Sequence, residues 1–106
     1  MNLKQGDTWR PDVVIKESGQ AKNCTNHFCK MIIVKRNTSE VVKNLNIVWD
    51  DQSTGIGYFI LTHTESKAMS VGAYNFEVYL YIDLTFFKSI KTGILEILPT
   101  LKNDIV

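Results

Sequence analysis

A chain of 106 residues has room for one hydrophobic core and not for two, so residues 1–106 read as a single domain, with 99–106 as an exit segment. An apolar fraction of 44% against 22% charged residues argues against a disordered chain. Twelve Lys and Arg stand against eleven Asp and Glu, scattered along the sequence, which excludes an electrostatic draw toward nucleic acid or an anionic membrane.

No apolar run approaches the ~20 residues needed to cross a bilayer. The start, Met-Asn-Leu-Lys-Gln-Gly-Asp, lacks the apolar core of a secretory signal. A chain that stays inside the cell, or leaves it by lysis, is therefore expected.

Along the chain, period-2 patterns and turn residues dominate. Between Arg10 and Glu17, Val13 and Ile15 alternate with Asp12, Val14 and Lys16, and Pro11 suits an edge strand. Residues 18–23 read as a loop. Cys24 and Cys29 follow, with His27 between them. They could form a disulfide, supply three of the four ligands of a zinc site, or serve as a turn residue (Cys24) and a small core hydrophobe (Cys29). A chain kept in a reducing compartment favours the last.

Phe28 to Arg36 is the most β-branched stretch. Cys29, Met31 and Ile33 fall on one face, and Lys30, Ile32, Val34 and Arg36 on the other. Leu45, Ile47 and Trp49 alternate in the next strand, which Asp50 to Gly55 ends with turn chemistry. Ile56 to Thr62 gives another strand. Thr64 to Met69 is the one helix-like piece and spans about one turn.

The clearest strand comes next, with Tyr74, Phe76, Val78, Leu80 and Ile82 on one side and Asn75, Glu77, Tyr79, Tyr81 and Asp83 on the other. Asp83-Leu84-Thr85 is a plausible hairpin connection. Phe86 to Leu98 forms one long strand, or two broken near Thr92-Gly93, and Pro99 stops the pairing. About seven strands with one short helical turn, and no alternating helices, predict an all-β sandwich or small barrel.

Groups able to converge on chemistry are few. Gly55-Ile56-Gly57 lacks the later glycine and the helix of a phosphate loop. Two histidines, His27 and His63, carry little weight as parts of a triad, and His63 reads as a partly exposed strand residue. The Asp50-Asp51 pair lacks neighbouring oxygen ligands for a hard cation. No catalytic residue, metal site or cofactor is expected.

The outward pattern is more informative. If Met31 and Tyr74 face the core, then Ile32, Val34, Tyr79 and Tyr81 face out, and in one sheet they form an aliphatic and tyrosine patch. Such patches mark protein interfaces. A competing reading enlists Tyr58, Tyr79 and Tyr81 as the groove of a carbohydrate- or ligand-binding sandwich.

Gly6-Asp7-Thr8-Trp9, Asn23-Cys24-Thr25-Asn26, Val71-Gly72-Ala73-Tyr74-Asn75-Phe76 and Thr92-Gly93-Ile94-Leu95-Glu96-Ile97-Leu98-Pro99 occur in an order that resembles small immunoglobulin-like domains of tailed-phage and prophage structural proteins, notably the N-terminal domain of baseplate upper proteins. Asn23-Cys24-Thr25-Asn26 stands where an Asp-Leu-Thr-Gly signature would, and keeps only its Thr and polar character. The resemblance implies an immunoglobulin-like antiparallel β-sandwich. It implies a virion component of the tail, baseplate or neck, assembled in the bacterial cytoplasm, or a cytoplasmic prophage remnant. Its partners would be other virion proteins and copies of itself, with no nucleic acid, membrane or small-molecule ligand.

Within such a sandwich four residues acquire fold-specifying roles. Tyr74 begins the buried face of its strand, and its hydroxyl would bond an upstream backbone group, with Gly72 making the corner before it. Trp9 would close one end of the core, its N–H finding a carbonyl. Gly93 would permit a tight turn or bulge between strand halves.

Overall fold

The computed structural model describes residues 1–83 and 86–99, and at residues 83, 86 and 87 the backbone alone. Its strands are β1 (Asn2–Lys4), β2 (Asp12–Val14), β3 (Lys16–Glu17), β4 (Gln20–Ala21), β5 (Phe28–Lys35), β6 (Val41–Asn46), β7 (Val48–Asp51) and β8 (Ile56–Tyr58). A 3₁₀ turn at Gln52–Thr54 links β7 to β8, and one short α-helix among the described residues, α1 (His63–Ala68), precedes β9 (Gly72–Asp83) and β10 (Phe86–Leu98). A five-stranded sheet has the order β1-β10-β9-β5-β6, a three-stranded sheet the order β2-β8-β7, and β3 and β4 form a separate hairpin.

The fold is an all-β sandwich. The orders β10-β9-β5-β6 and β2-β8-β7 correspond to the strand arrangement G-F-C-C′ over B-E-D of immunoglobulin-like domains. One strand departs from the antiparallel expectation: β1 runs parallel to β10, pairing Asn2 with Glu96 and Lys4 with Leu98.

Alternation puts the core where the sequence predicts it along β5 and β9. Cys29, Met31, Ile33, Tyr74, Phe76, Val78 and Leu80 are all buried, and Leu95 and Ile97 join them from β10. Phe59 and Leu61 close the core from the segment after β8. Ile82 does not belong to it, being 42% exposed beyond the end of the packed region.

Other expectations are corrected. Leu45 and Trp49 do not share a strand, because the chain crosses between sheets at Ile47. Leu45 pairs with Met31 in the large sheet, and Val48 pairs with Tyr58 in the small one. Ile56 to Thr62 is a strand only as far as Tyr58. Past it, Leu61 is still bonded to Trp9 through both backbone groups, at 2.8 and 2.9 Å. The predicted loop after Glu17 contains a tight hairpin, with Ser18 and Gly19 both at positive φ. Phe86 to Leu98 is one strand, the first of the two expected forms, and its irregularities lie between Phe86 and Phe87 and between Ser89 and Lys91, not at Gly93. The connection at Leu84 and Thr85, and the exit segment past Pro99, lie outside the described residues.

The helix begins at His63, so that residue is an exposed first helical position and not a strand residue. Thr62 and Glu65 form a capping box. The Glu65 N–H donates to the Thr62 hydroxyl at 3.2 Å, and the Thr62 N–H donates to the Glu65 carboxylate at 3.0 Å. Lys43 of β6 binds the other oxygen of that carboxylate at 3.1 Å, tying the helix to the large sheet. These bonds, with the Thr62 backbone foremost, hold the Glu65 carboxyl below the usual range.

After the helix the chain turns its corner as expected. The Tyr74 hydroxyl donates to the Ser70 carbonyl at 2.7 Å, four residues upstream. Gly72 sits at φ 147°, a conformation that favours glycine, although the place a Cβ would occupy there is open.

Candidate protein-binding face

The face of the large sheet that points away from the small one is built by three neighbouring strands. Strand β5 pairs antiparallel with β9, placing Phe28 opposite Tyr81, Lys30 opposite Tyr79, Ile32 opposite Glu77 and Val34 opposite Asn75. On the other side of β9, Tyr79 stands opposite Ser89, Glu77 opposite Thr92 and Asn75 opposite Ile94. Since side chains alternate along each strand, all of these share one face.

Of the four residues singled out from the sequence, Ile32, Val34 and Tyr79 line one shallow concavity with Glu77, Thr92 and Ile94. Tyr81 lies further along the same face, stacked on Phe28 with ring centroids 5.5 Å apart. Ile94, at 48% exposure, and Phe28, at 57%, extend the apolar surface. Phe28 shares the spacing of Ile32 and Val34, so the alternation of β5 could have found it. Ile94 could not be found that way, because its place depends on the pairing of β10 with β9.

Polar groups are fixed within the patch. The Tyr79 hydroxyl donates to the Glu77 carboxylate. The Ser89 hydroxyl, then Tyr79, hold the Glu77 carboxyl below its ordinary value, and Glu77 in turn raises the Tyr79 phenol. A tyrosine anchored in this way presents its ring with little rotamer entropy left to lose on contact.

Tyr58 is not part of this face. It belongs to β8 in the other sheet, where the Arg10 guanidinium lies 3.7 Å from its ring centroid. The three-tyrosine groove of the ligand-binding reading is therefore not assembled.

Neither cysteine is in a disulfide, and both are buried, Cys24 completely. Cys24 is thus a core residue and not merely a turn residue. Burial pushes the Cys29 thiol up to about 12 and raises that of Cys24. Among the described residues no group of three or more His, Cys, Asp or Glu side chains is placed to hold a metal ion. His27 is half-buried in the turn between the cysteines, and burial lowers its imidazole pKa. Asp51, exposed, is held below its usual value by the Ser53 hydroxyl.

Two fold-specifying expectations change in detail. Trp9 packs into the core with its ring edge-on to Phe76, centroids 5.4 Å apart and planes at 67°. Its indole N–H, however, is buried with no acceptor among the described residues. Gly93 serves no bulge. A Cβ there would meet Cζ of Phe76 at 2.5 Å, so the missing side chain makes room for the aromatic ring of the cross-strand partner.

No protein-family model matches the sequence, and no curated protein matches it. Among solved structures, the N-terminal domain of phage TP901-1 ORF48 has a similar fold. The TM-score is 0.58 over 91% of this chain and 81% of that one, at 16% sequence identity. Among the described residues no helix is long and apolar enough to cross a membrane.

Proposed function

We propose that this chain is a phage or prophage virion structural or assembly protein, a component of the tail, baseplate or neck, acting through protein–protein contacts. The observation that carries the reading is the outward face of the large sheet. There Ile32, Val34, Tyr79 and Ile94 surround a shallow concavity. Aromatic and aliphatic groups with few charges are the composition of an interface core.

The fold likeness to a phage protein domain supports the particle context, and the order of short motifs along the chain supports the narrower kinship with baseplate upper proteins. Fold by itself assigns no function, so the contact face bears the weight. On this reading the chain catalyses nothing and needs no cofactor. Its partners are neighbouring virion proteins and copies of itself. Mass spectrometry of phage or prophage particles purified through a density gradient tests the assignment. The chain should be present in constant ratio to known particle proteins, and its absence from intact particles overturns the reading.

A further inference from the structure

On the side of β10 away from β9 lies an open seam, which adjoins the outward face and shares Thr92 and Ile94 with it. Among the described residues that edge is paired with β1 at Glu96, Ile97 and Leu98, and no described strand borders it over residues 88–94. At ~3.3 Å per residue this leaves about 20 Å of unpaired edge.

The bonds to β1 show which groups point there. The Glu96 N–H donates to the Met1 carbonyl at 2.9 Å, and the Ile94 carbonyl accepts from the Met1 ammonium at 3.3 Å. Both backbone groups of a strand residue point to one side and the sides alternate, so Thr92 also offers its N–H and C=O to the seam.

Across the seam lies β2, the edge strand of the small sheet. The opening between β2 and β10 holds two adjoining concavities that share Asp12, Val13, Val78 and Lys91. Trp9, Met31 and Phe76 line the inner end, and Trp9 brings its buried N–H that lacks an acceptor. Ile90, set at an irregularity of β10, lines the outer end.

The rim of the seam is cationic. Lys16, Lys88 and Lys91 border it, whereas the nearby carboxylates are engaged. Asp12 is held by Arg10 at 3.2 Å, and Glu17 by Lys22 at 2.8 Å. Lysines along an exposed edge repel a second copy of that edge, so the seam is guarded against pairing with itself. A strand carrying negative charge meets no such barrier.

We propose that this seam receives an extended segment of another protein, alternating apolar and acidic residues, which adds to β10 in line with β1. The N–H and carbonyl of Thr92 and the N–H of Ile94, whose carbonyl is held by the Met1 ammonium, supply the ladder bonds, the apolar side chains enter the opening between the sheets, and the carboxylates meet Lys16, Lys88 and Lys91. This occupant does not depend on the outward face, and either site can fail without the other.

The test uses two capped, fluorescein-labelled peptides, Glu-Val-Glu-Val-Glu-Val and Lys-Val-Lys-Val-Lys-Val, read by anisotropy at low salt and by amide hydrogen exchange. The acidic peptide should bind at least about tenfold more tightly and protect the amides of Thr92 and Ile94. Combined Lys88→Glu and Lys91→Glu changes, both on exposed residues, should invert the preference. Thr92→Pro, which removes one edge N–H, should weaken binding without inverting it. Equal binding of the two peptides, no protection at Thr92 and Ile94, or an unchanged preference after charge reversal overturns the proposal.

Discussion

The ring of Phe76 occupies the place where a side chain on Gly93 would stand. The two residues are direct cross-strand partners, and a Cβ on Gly93 would lie 2.5 and 2.7 Å from the ring carbons. The same ring meets Trp9 edge-on, so one glycine lets β10, β9 and the Trp9 segment pack together. Gly93→Ala should therefore cost about 1–3 kcal/mol through overpacking. The measurement is the urea midpoint at unchanged m-value. In a Phe76→Leu background the same change should cost clearly less, whereas strict additivity of the two changes would contradict the contact.

Tyr74 fixes the corner between α1 and β9 through the Ser70 carbonyl. Tyr74→Phe keeps the buried ring and deletes that bond, so it should lose about 1 kcal/mol. Denaturant melts should show the loss while circular dichroism stays unchanged. A variant as stable as the parent would mean that the bond contributes nothing to the corner.

These two sites also show what the sequence made legible. Tyr74 was readable because Gly72, a short helical turn and a strictly alternating strand are all local signals. The apolar row from Tyr74 to Leu80 followed from the same periodicity. Ile47 was not readable as a crossing point, because the alternation of Leu45, Ile47 and Trp49 continues unbroken while the pairing partner changes. The parallel pairing of β1 and the contact of Gly93 with Phe76 depend on neighbours distant in sequence. On the candidate face, Ile32, Val34, Tyr79 and Tyr81 came from alternation alone, and Ile94 required the register of β10.

The buried thiols give the protein an alkaline limb. An unfolded thiol titrates near 9, while burial pushes Cys29 to about 12 and raises Cys24 as well. Between those values the folded chain holds more protons than the unfolded one, so stability should fall as pH rises from 9 toward 12. Urea midpoints across that range should show the decline, and Cys29→Ala should shallow it. An identical pH slope in the variant would remove the thiol from the explanation. At neutral pH, neither thiol should react with a disulfide reagent until urea unfolds the chain.

The outward face predicts a loss of association without a loss of fold. Ile32 and Tyr79 are both only partly buried, so Ile32→Ser combined with Tyr79→Ser should leave the far-UV spectrum intact. Any self-association seen for the parent by light scattering should weaken about tenfold or more. The same assembly mass across the same concentrations would place the contact elsewhere.

The most direct measurement of the central claim is site-specific photo-cross-linking from position 32 in assembled particles. With a photoreactive residue replacing Ile32, illumination should join the chain covalently to a neighbouring particle protein or a second copy. The cross-link should map to the surface that meets Ile32, Val34 and Tyr79. A chain that incorporates into particles yet yields no adduct from position 32, while a probe at exposed Ser53 on the other sheet's side does, would contradict the account.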